Sequence, residues 1–346
     1  MRELIKRFAN VFSSAEELKK KLKKLGIHRF ELPTPFPQVN TVNVYLFEGK
    51  ELTLLDTGVS TPESWETFKK KMEESGYKIG DIKKILLTHG HVDHYGLAQR
   101  IVEESGARVY IHPRDTQKVL PDRLKTIDEN FPIYREYFKK IGVPQDTIEL
   151  MHQISQGFVF VAQQIKNPLP VVEGQKFVAG DLELTAFEFP GHTPGMVCYY
   201  NKKHRMLFSG DHVLRSISPN PLLELEKDTG GKFKSLVEYK RSLNKLLNFD
   251  IKFVLPGHFT FIDDVEGLIK RLKRFYRIRQ RRLMDLVDSA ELTPYELVRK
   301  VFPRLIPGEV FLGISEVIAN LEVLEEKGFI RLEEVNGKII CRRLAR

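Results

Sequence analysis

Cysteine is nearly missing from this chain, with only Cys198 and Cys341 in 346 residues. Both lie far apart inside apolar, strand-like runs, which argues against a disulfide framework or a thiolate metal site and leaves two buried, inert thiols. Long apolar runs are missing too. No stretch reaches the roughly 18 residues that a membrane span needs, and the opening MRELIKRFANVFSSAEELKKKLKKLG is charged throughout. No export segment or anchor is visible, so a cytoplasmic enzyme without a membrane partner is expected. Internal repeats and low-complexity tracts are also absent. Neither sign of charge dominates: 55 basic residues stand against 46 acidic ones, mostly intermixed, and the net charge of +9 selects no partner by itself.

What is present suggests an α/β protein of two domains, with 42% hydrophobic residues to build the core. TVNVYLFE (41–48) and ELTLLD (51–56) read as a hairpin, and PESWETFKKKMEESG (62–76) as a helix closed by glycine. A strand at 82–88, a helix at 97–106 and a strand at 107–112 continue the alternation. Between about 114 and 170 the pattern turns helical and aromatic-rich, which reads as an inserted cap. Strands return at 182–189, 196–200, 205–209 and 251–255, the last preceded by the helix SLVEYKRSLNKLLN.

The stretch LLTHGHVDHYG (86–96) places His89, His91, Asp93 and His94 directly after a buried-strand pattern. Imidazole nitrogens and carboxylate oxygens are the donors that zinc and similar divalent ions prefer, so one turn can supply two adjacent metal positions. A lone histidine is usually an ordinary hydrogen-bonding residue, but four such residues in H-x-H-x-D-H are not. The same placement recurs downstream. His192 in FPGHTPG, Asp211 in LFSGDH and His258 in VLPGHF each follow an apolar strand beside a glycine, where open α/β sheets form their sites.

THGHVDH, followed in order by His192, Asp211 and His258, resembles the metallo-beta-lactamase superfamily over nearly all of residues 30–265, and LLDTG at 54–58 matches as well. The resemblance implies a four-layer αββα sandwich with a two-metal site at one edge. Carried onto this chain, His89, His91 and His192 hold one ion, Asp93, His94 and His258 the second, and Asp211 bridges them. Zinc is expected, with iron and manganese also fitting such donors. Two cations roughly 3.5–4 Å apart can share a water whose pKa falls to roughly 7, so a bridging hydroxide is the expected nucleophile. Asp93 would orient it. Asp56 is expected to fix the tautomer of a ligand imidazole, unless it only caps the turn before Gly58. His212 is a candidate for assisting the leaving group or binding substrate, with plain packing as its alternative.

The superfamily supports several chemistries on these ligands. A small ester, thioester or lactone is the leading substrate class. A metal-dependent endoribonuclease or phosphodiesterase is the alternative, and a non-hydrolytic metal-binding or redox relative the third. GDHVLRSISPN (210–220) differs from the G-D-T-L-F of glyoxalase II and is closer to hydrolases with a C-terminal winged helix, including the lactamase-beta-like protein 2 group. No flavodoxin-like extension is present. Phe131, Tyr134, Tyr137, Phe138, Phe158 and Phe160 of the cap read mainly as core, and any that face the metals favour an apolar acyl substrate.

Residues 1–265 are thus expected to form the catalytic domain and 266–346 a linker helix plus a winged-helix-like domain. Thr293, Pro294 and Glu296 start a helix with a capping box, GISEVIANLEVLEEKG is a second helix, and Asn336-Gly337 a type I′ hairpin turn. The would-be recognition helix carries Glu316, Glu322, Glu325 and Glu326 against Lys327, the wrong charge for a phosphate backbone. KRLKRFYRIRQRR (270–282) has eight basic residues in thirteen around Phe275 and Tyr276. Such interleaving can bind single-stranded nucleic acid, though a helix with a solvated face explains it as well. A small-molecule partner is therefore expected ahead of nucleic acid, and a homodimer is compatible with the sequence.

Overall fold

The computed structural model describes residues 14–225, 232–289 and 291–344; the charged segment 1–13 lies outside the described residues. The hairpin read from the sequence is present as β2 (Thr41–Phe47) and β3 (Thr53–Leu55), preceded by a strand the sequence pattern did not reveal, β1 (Ile27–Pro33). In β1 the buried Ile27, Phe30 and Leu32 are interleaved with His28, Arg29 and Glu31, so its full-length antiparallel pairing with β2 decides its conformation. Strands β4 (Lys84–Leu86), β5 (Arg108–Ile111) and β6 (Leu169–Pro170) add parallel ladders and complete a six-stranded sheet in sequence order. The second sheet holds β7 (Lys176–Ala179), β8 (Leu182–Glu188), β9 (Val197–Asn201), β10 (Met206–Gly210) and β13 (Phe253–Pro256), in the order β13-β10-β9-β8-β7. The two-stranded pair β11 (Glu224–Leu225) and β12 (Lys232–Phe233) stands apart.

Alternation along the strands builds the layers. Tyr45, Phe47, Leu55 and Leu86 of the first sheet meet Tyr199, Phe208, Phe253 and Leu255 of the second in one core. Rings of Tyr45 and Phe47 each meet Phe208 edge-on at 5.1 Å. The neighbouring Val44, Leu46, Leu54 and Ile85 point the other way, onto Trp65, Phe68 and Met72 of helix Pro62–Glu74 and onto Leu97 and Ile101. Likewise Cys198, Tyr200, Leu207 and Val254 turn outward onto Leu236 and Leu243 of helix Ser235–Leu246 and onto Leu272 and Tyr276 of helix Val265–Ser289. Period-2 burial on two sheets with helices outside gives the αββα order. Each fully buried side chain of this kind stabilises by about 1.5–3 kcal/mol relative to exposure.

The cap consists of helices Arg123–Lys140 and Gln145–Gly157 and a 3-10 turn, Phe158–Val161. Its Phe138, Ile141, Ile148 and Met151 share a core with Leu297, Val310, Ile314 and Leu321 of the C-terminal helices Pro294–Val301 and Val310–Glu326. The capping box at Thr293 and Glu296 is formed, and Asn336 and Gly337 both have positive φ at the turn between β14 (Ile330–Val335) and β15 (Lys338–Arg343). Both cysteines are free and buried. Among the described residues no helix is long and apolar enough to cross a membrane.

Candidate metal centre

The polar residues picked out by the sequence converge where strands end. β8, β10 and β13 run the same way, and His192, Asp211 and His258 follow their C-terminal ends. His89 and His91 follow β4, and the one-turn helix Val92–Tyr95 brings in Asp93 and His94. Ligand-type atoms of His89, His91 and His192 lie within 4.8 Å of one another, as do those of His89, His94 and Asp211 and those of Asp93, His94 and His258.

Each imidazole has one nitrogen committed outside the cluster, His91 excepted. Nδ1 of His94 lies 2.8 Å from Oδ2 of Asp56, which as a carboxylate can only accept. Nδ1 of His192 donates to the Asn220 carbonyl at 3.0 Å, and Nδ1 of His258 to the Thr41 carbonyl at 2.6 Å. Thr88 Oγ1 donates to Asp56 at 2.9 Å, so its lone pairs receive Nδ1–H of His89 at 3.0 Å. In these four rings the committed Nδ1 turns Nε2 inward as a bare donor atom. His91 is turned the other way: its Nδ1 lies 2.9 Å from Nε2 of His89 and 3.0 Å from Nε2 of His192. Nε2 of His94, Nε2 of His258 and Oδ1 of Asp211 are buried without a hydrogen-bond partner. His258 Nε2 does stand 3.2 Å from Asp93 and 3.4 Å from Asp211, an ion pair by distance but not aligned as a hydrogen bond. Buried lone pairs facing one another are costly unless a cation sits among them, so the donor set fits divalent metal.

The electrostatics agree. Burial, reinforced by the neighbouring imidazoles, holds His89 and His91 well below the usual histidine range, and burial lowers His192 as well, so all three are neutral and ligand-competent. Burial alone would raise Asp93, but His94 and His258 outweigh it and hold it down at about 2. The same two imidazoles hold Asp211 low. Against the pull of burial, Asp211, Asp56 and Asp93 raise His94, and Asp211 and Asp93 raise His258 to about 10. With no metal present the carboxylates thus favour a proton on Nε2 of these two rings in place of the bare lone pair, and a divalent ion binding there would displace it.

Local structure explains the precision. Asp56 has φ +59, a conformation costing a non-glycine residue roughly 1–2 kcal/mol, and is held there by its N–H on the Leu86 carbonyl at 2.9 Å. Thr57 fixes the His94 carbonyl through N–H at 2.7 Å and Oγ1 at 3.0 Å. Gly257 must lack a side chain, because a Cβ would lie 2.7 Å from both Asp211 Oδ1 and His94 Cε1.

His212 does not join the cluster. Its ring is fully buried against Phe189 and Tyr239, at 4.7 and 5.4 Å, with neither nitrogen hydrogen-bonded. Burial, then His192 and Lys245, push it down to about 3. This placement fits the packing alternative.

Three contributors escaped the sequence reading. Thr88 is the relay just described. Asn43 donates from Nδ2 to the Pro256 and Phe259 carbonyls at 2.9 and 2.8 Å, pinning the turn that carries His258. Asp115, fully buried, accepts from Gly90 N (2.9 Å), Thr193 Oγ1 (2.7 Å), Gly195 N (3.1 Å) and Lys118 Nζ (3.2 Å). It ties the His89–His91 loop to the His192 loop. Lys118 and the hydrogen bonds from Thr193 and Gly90 overcome burial and hold its carboxyl at about 2. Asp115 also follows a strand end, that of β5, but without the adjacent glycine that marks His192, Asp211 and His258.

With this geometry in place, a comparison with protein families matches residues 37–258 to the metallo-beta-lactamase superfamily. The chain belongs to the metallo-beta-lactamase superfamily. It is 31% identical over 296 residues to the probable metallo-hydrolase YqjP of Bacillus subtilis, covering 85% of this chain and 90% of that one. A crystal structure of a metallo-beta-lactamase family protein from Thermus thermophilus superposes with a TM-score of 0.78 at 29% identity, over 92% of this chain and 99% of that one. A beta-lactamase domain protein from Burkholderia ambifaria shares the fold at 20% identity and a TM-score of 0.76, over 92% and 91% of the two chains. The superfamily match ends at 258 while the Thermus superposition covers 92% of the chain, so the likeness to that structure includes most of the C-terminal region. The protein is thus a metallo-hydrolase superfamily member with His/Asp groups suited to divalent metal.

Proposed function

We propose that this protein is a two-metal hydrolase of small esters, thioesters or lactones, with zinc as its ion. The observation carrying this reading is the convergence of seven ligand-type side chains, among which inward atoms of His94, His258 and Asp211 lack hydrogen-bond partners inside the protein. In this reading His89, His91 and His192 hold one ion, Asp93, His94 and His258 the other, and Asp211 lies between them, 3.5 Å from His94 Nε2 and 3.6 Å from His192 Nε2. Bound there, the ions supply Lewis acidity and a water acidified to near-neutral pKa. The chain's own part is to keep donors deprotonated and oriented. Asp56 holds N–H on Nδ1 of His94 and, through Thr88, on Nδ1 of His89. Asp93 stays ionised and is placed to orient the attacking water or accept its proton.

An apolar acyl part is favoured by how the cap sorts its aromatics. Phe131, Tyr134, Tyr137 and Phe138 pack into the core shared with the C-terminal helices. Phe158 and Phe160 remain 42% and 79% exposed. Their turn is bonded to the metal-bearing region, since Ser60 N–H donates to the Val161 carbonyl at 2.8 Å and Gln163 N–H to the Gly96 carbonyl at 2.9 Å. Phe36 meets Phe158 edge-on at 5.8 Å. An exposed phenylalanine beside a metal edge suits an apolar substrate group.

The division at about residue 265 and the winged-helix-like reading, with its resemblance to the lactamase-beta-like protein 2 branch, are part of this proposal. Helix, helix and hairpin in that order support them. Nucleic-acid binding is disfavoured, because helix Val310–Glu326 is buried through most of its length and its Glu316 pairs with Arg279 at 3.2 Å. The basic segment 270–282 buries Leu272, Tyr276 and Gln280, leaving Lys270, Arg271, Arg274, Arg277, Arg281 and Arg282 exposed as a solvated face.

The test is turnover of acyl thioesters, lactones, phosphodiesters and single-stranded RNA by zinc-loaded protein, with Asp93→Ala as the blank and metal content measured alongside. Ester-class turnover that disappears in the variant is the expected result. RNA or phosphodiester cleavage without ester turnover overturns the reading and turns attention to residues 270–282.

A further inference from the structure

His192 is oriented by a loop that has no regular structure of its own. Residues 211–223 contain neither helix nor strand, yet they begin at Asp211 and carry the Asn220 carbonyl that accepts Nδ1–H of His192 at 3.0 Å. A carbonyl on an unsupported loop cannot hold an imidazole to the tolerance that a metal ligand needs, roughly 0.5 Å and 10–20°. Tyr239 OH and Ser235 Oγ hold the two ends of the loop at the His212 and Leu222 carbonyls, and the stretch around Asn220 is held from beyond residue 265. Tyr276 OH donates to the Pro219 carbonyl at 3.1 Å, from a ring that is fully buried. Asn220 Nδ2 donates to the Leu312 carbonyl at 3.0 Å, using that oxygen's second lone pair near the start of helix Val310–Glu326. Leu223 N–H donates to Ser315 Oγ at 3.1 Å one turn further on, and the Leu223 side chain enters the core shared by cap and C-terminal helices.

We propose that the C-terminal unit is a brace for the three-histidine metal position: through Tyr276, Leu312 and Ser315 it fixes Asn220, and Asn220 fixes the direction of Nε2 of His192. Asn220 is thereby a positioning residue, and helix Val310–Glu326 has a task that uses its buried surface. The inference rests on reading His89, His91 and His192 as ligands. It assigns the C-terminal unit a role in metal affinity, which neither the fold nor the superfamily match assigns.

The test compares full-length wild type, Asn220→Ala and Ser315→Ala for zinc affinity by chelator competition, for the visible absorption of the cobalt-substituted form, and for thermal unfolding without metal. Leu321→Ala serves as a reference that opens the C-terminal core without touching the tether. Loss of an outer hydrogen-bonding partner typically weakens metal binding 10- to 100-fold. Because Asn220 acts through its own backbone carbonyl, a fall of roughly tenfold is expected in Asn220→Ala, with altered cobalt absorption and nearly unchanged unfolding of the metal-free protein, and a smaller fall in Ser315→Ala, which also lowers the unfolding temperature by leaving the Leu223 N–H without its acceptor. Unchanged affinity in both variants overturns the brace. So does affinity that merely tracks unfolding temperature, with Leu321→Ala falling as far as Asn220→Ala. Wild-type protein that takes up no metal overturns the reading of the site itself, and the brace with it.

Discussion

The metal-binding edge and the C-terminal unit both bury charged and polar side chains, and they treat them in opposite ways. At the edge, Nε2 of His94, Nε2 of His258 and Oδ1 of Asp211 face one another with no hydrogen-bond partner. In the C-terminal unit Glu316, also buried, is met by Arg279 at 3.2 Å, and Asn320 bonds both the Glu316 carbonyl at 2.8 Å and Gln280 at 3.3 Å. Glu322 likewise has Lys232 at 2.9 Å, although out of line for a hydrogen bond on that oxygen. A network closed within the protein specifies structure; one left open toward a common point specifies something to be bound. The same residue types therefore carry different meanings in the two regions.

The widest gap between them should appear on removing a central carboxylate. Asp211→Ala deletes the group that the proposed function places between both metal positions, so turnover should fall by on the order of 10³ or more, while stability without metal falls only by what the ion pairs of Asp211 to His94 and His258 contribute. Metal analysis and calorimetry check both halves; full turnover in this variant would end the two-metal reading. In the closed network, by contrast, Arg279→Ala should act on stability, costing about 3–5 kcal/mol by leaving Glu316 unpaired. The sign with pH is specific. Burial raises the Glu316 carboxyl above its ordinary range, with Arg279 and Asn320 pulling it back. A raised folded pKa means that its stabilising contribution is complete below the unfolded pKa and is lost as pH rises through the folded one. Removing Arg279 raises that folded value further, so the variant's deficit in urea unfolding should grow as pH rises above the ordinary carboxylate range. A deficit independent of pH would mean the pair is not what Arg279 supplies.

Next in size come the residues behind the ligands. Asp56→Ala frees Nδ1 of His94 and breaks the Thr88 relay to His89, and Asp115→Asn sets an amide N–H against the N–H groups of Gly90 or Gly195 or the Thr193 hydroxyl. Each should weaken zinc binding roughly 10- to 100-fold in chelator competition without abolishing folding. Asp56 was legible in the sequence because LLDTG matches the superfamily that the histidine motif resembles. The seven ligand-type residues were legible for a local reason: each follows a strand whose apolar run marks it. Asp115 was not, although it too follows a strand, because one carboxylate in HPRD has no local feature separating it from a surface residue. Its meaning comes from Thr193 and Gly195, some eighty positions away. The layers followed from hydrophobic alternation, whereas β1 depended on pairing that no local pattern announces. The brace on His192 was out of reach for the same reason, since its parts lie at 192, 220, 276, 312 and 315.

The smallest effect bears on the substrate. Phe160 is 79% exposed, so truncating it removes little packing, and Phe160→Ala should leave stability within about 0.5 kcal/mol. Metal content should also be unaffected, because the ring takes no part in the hydrogen bonds that join its turn to Gly96 and Ser60. If Phe160 is where the acyl chain rests, losing an aromatic contact of about 1 kcal/mol raises KM roughly fivefold for long or aryl acyl substrates. Acetyl substrates, too short to reach the ring, should show no change. That split between chain lengths is what a defect in the metal centre cannot imitate, since weakened metal binding slows every substrate alike. Equal KM shifts for short and long acyl groups would remove Phe160 from the substrate path and leave its exposure without a role in catalysis.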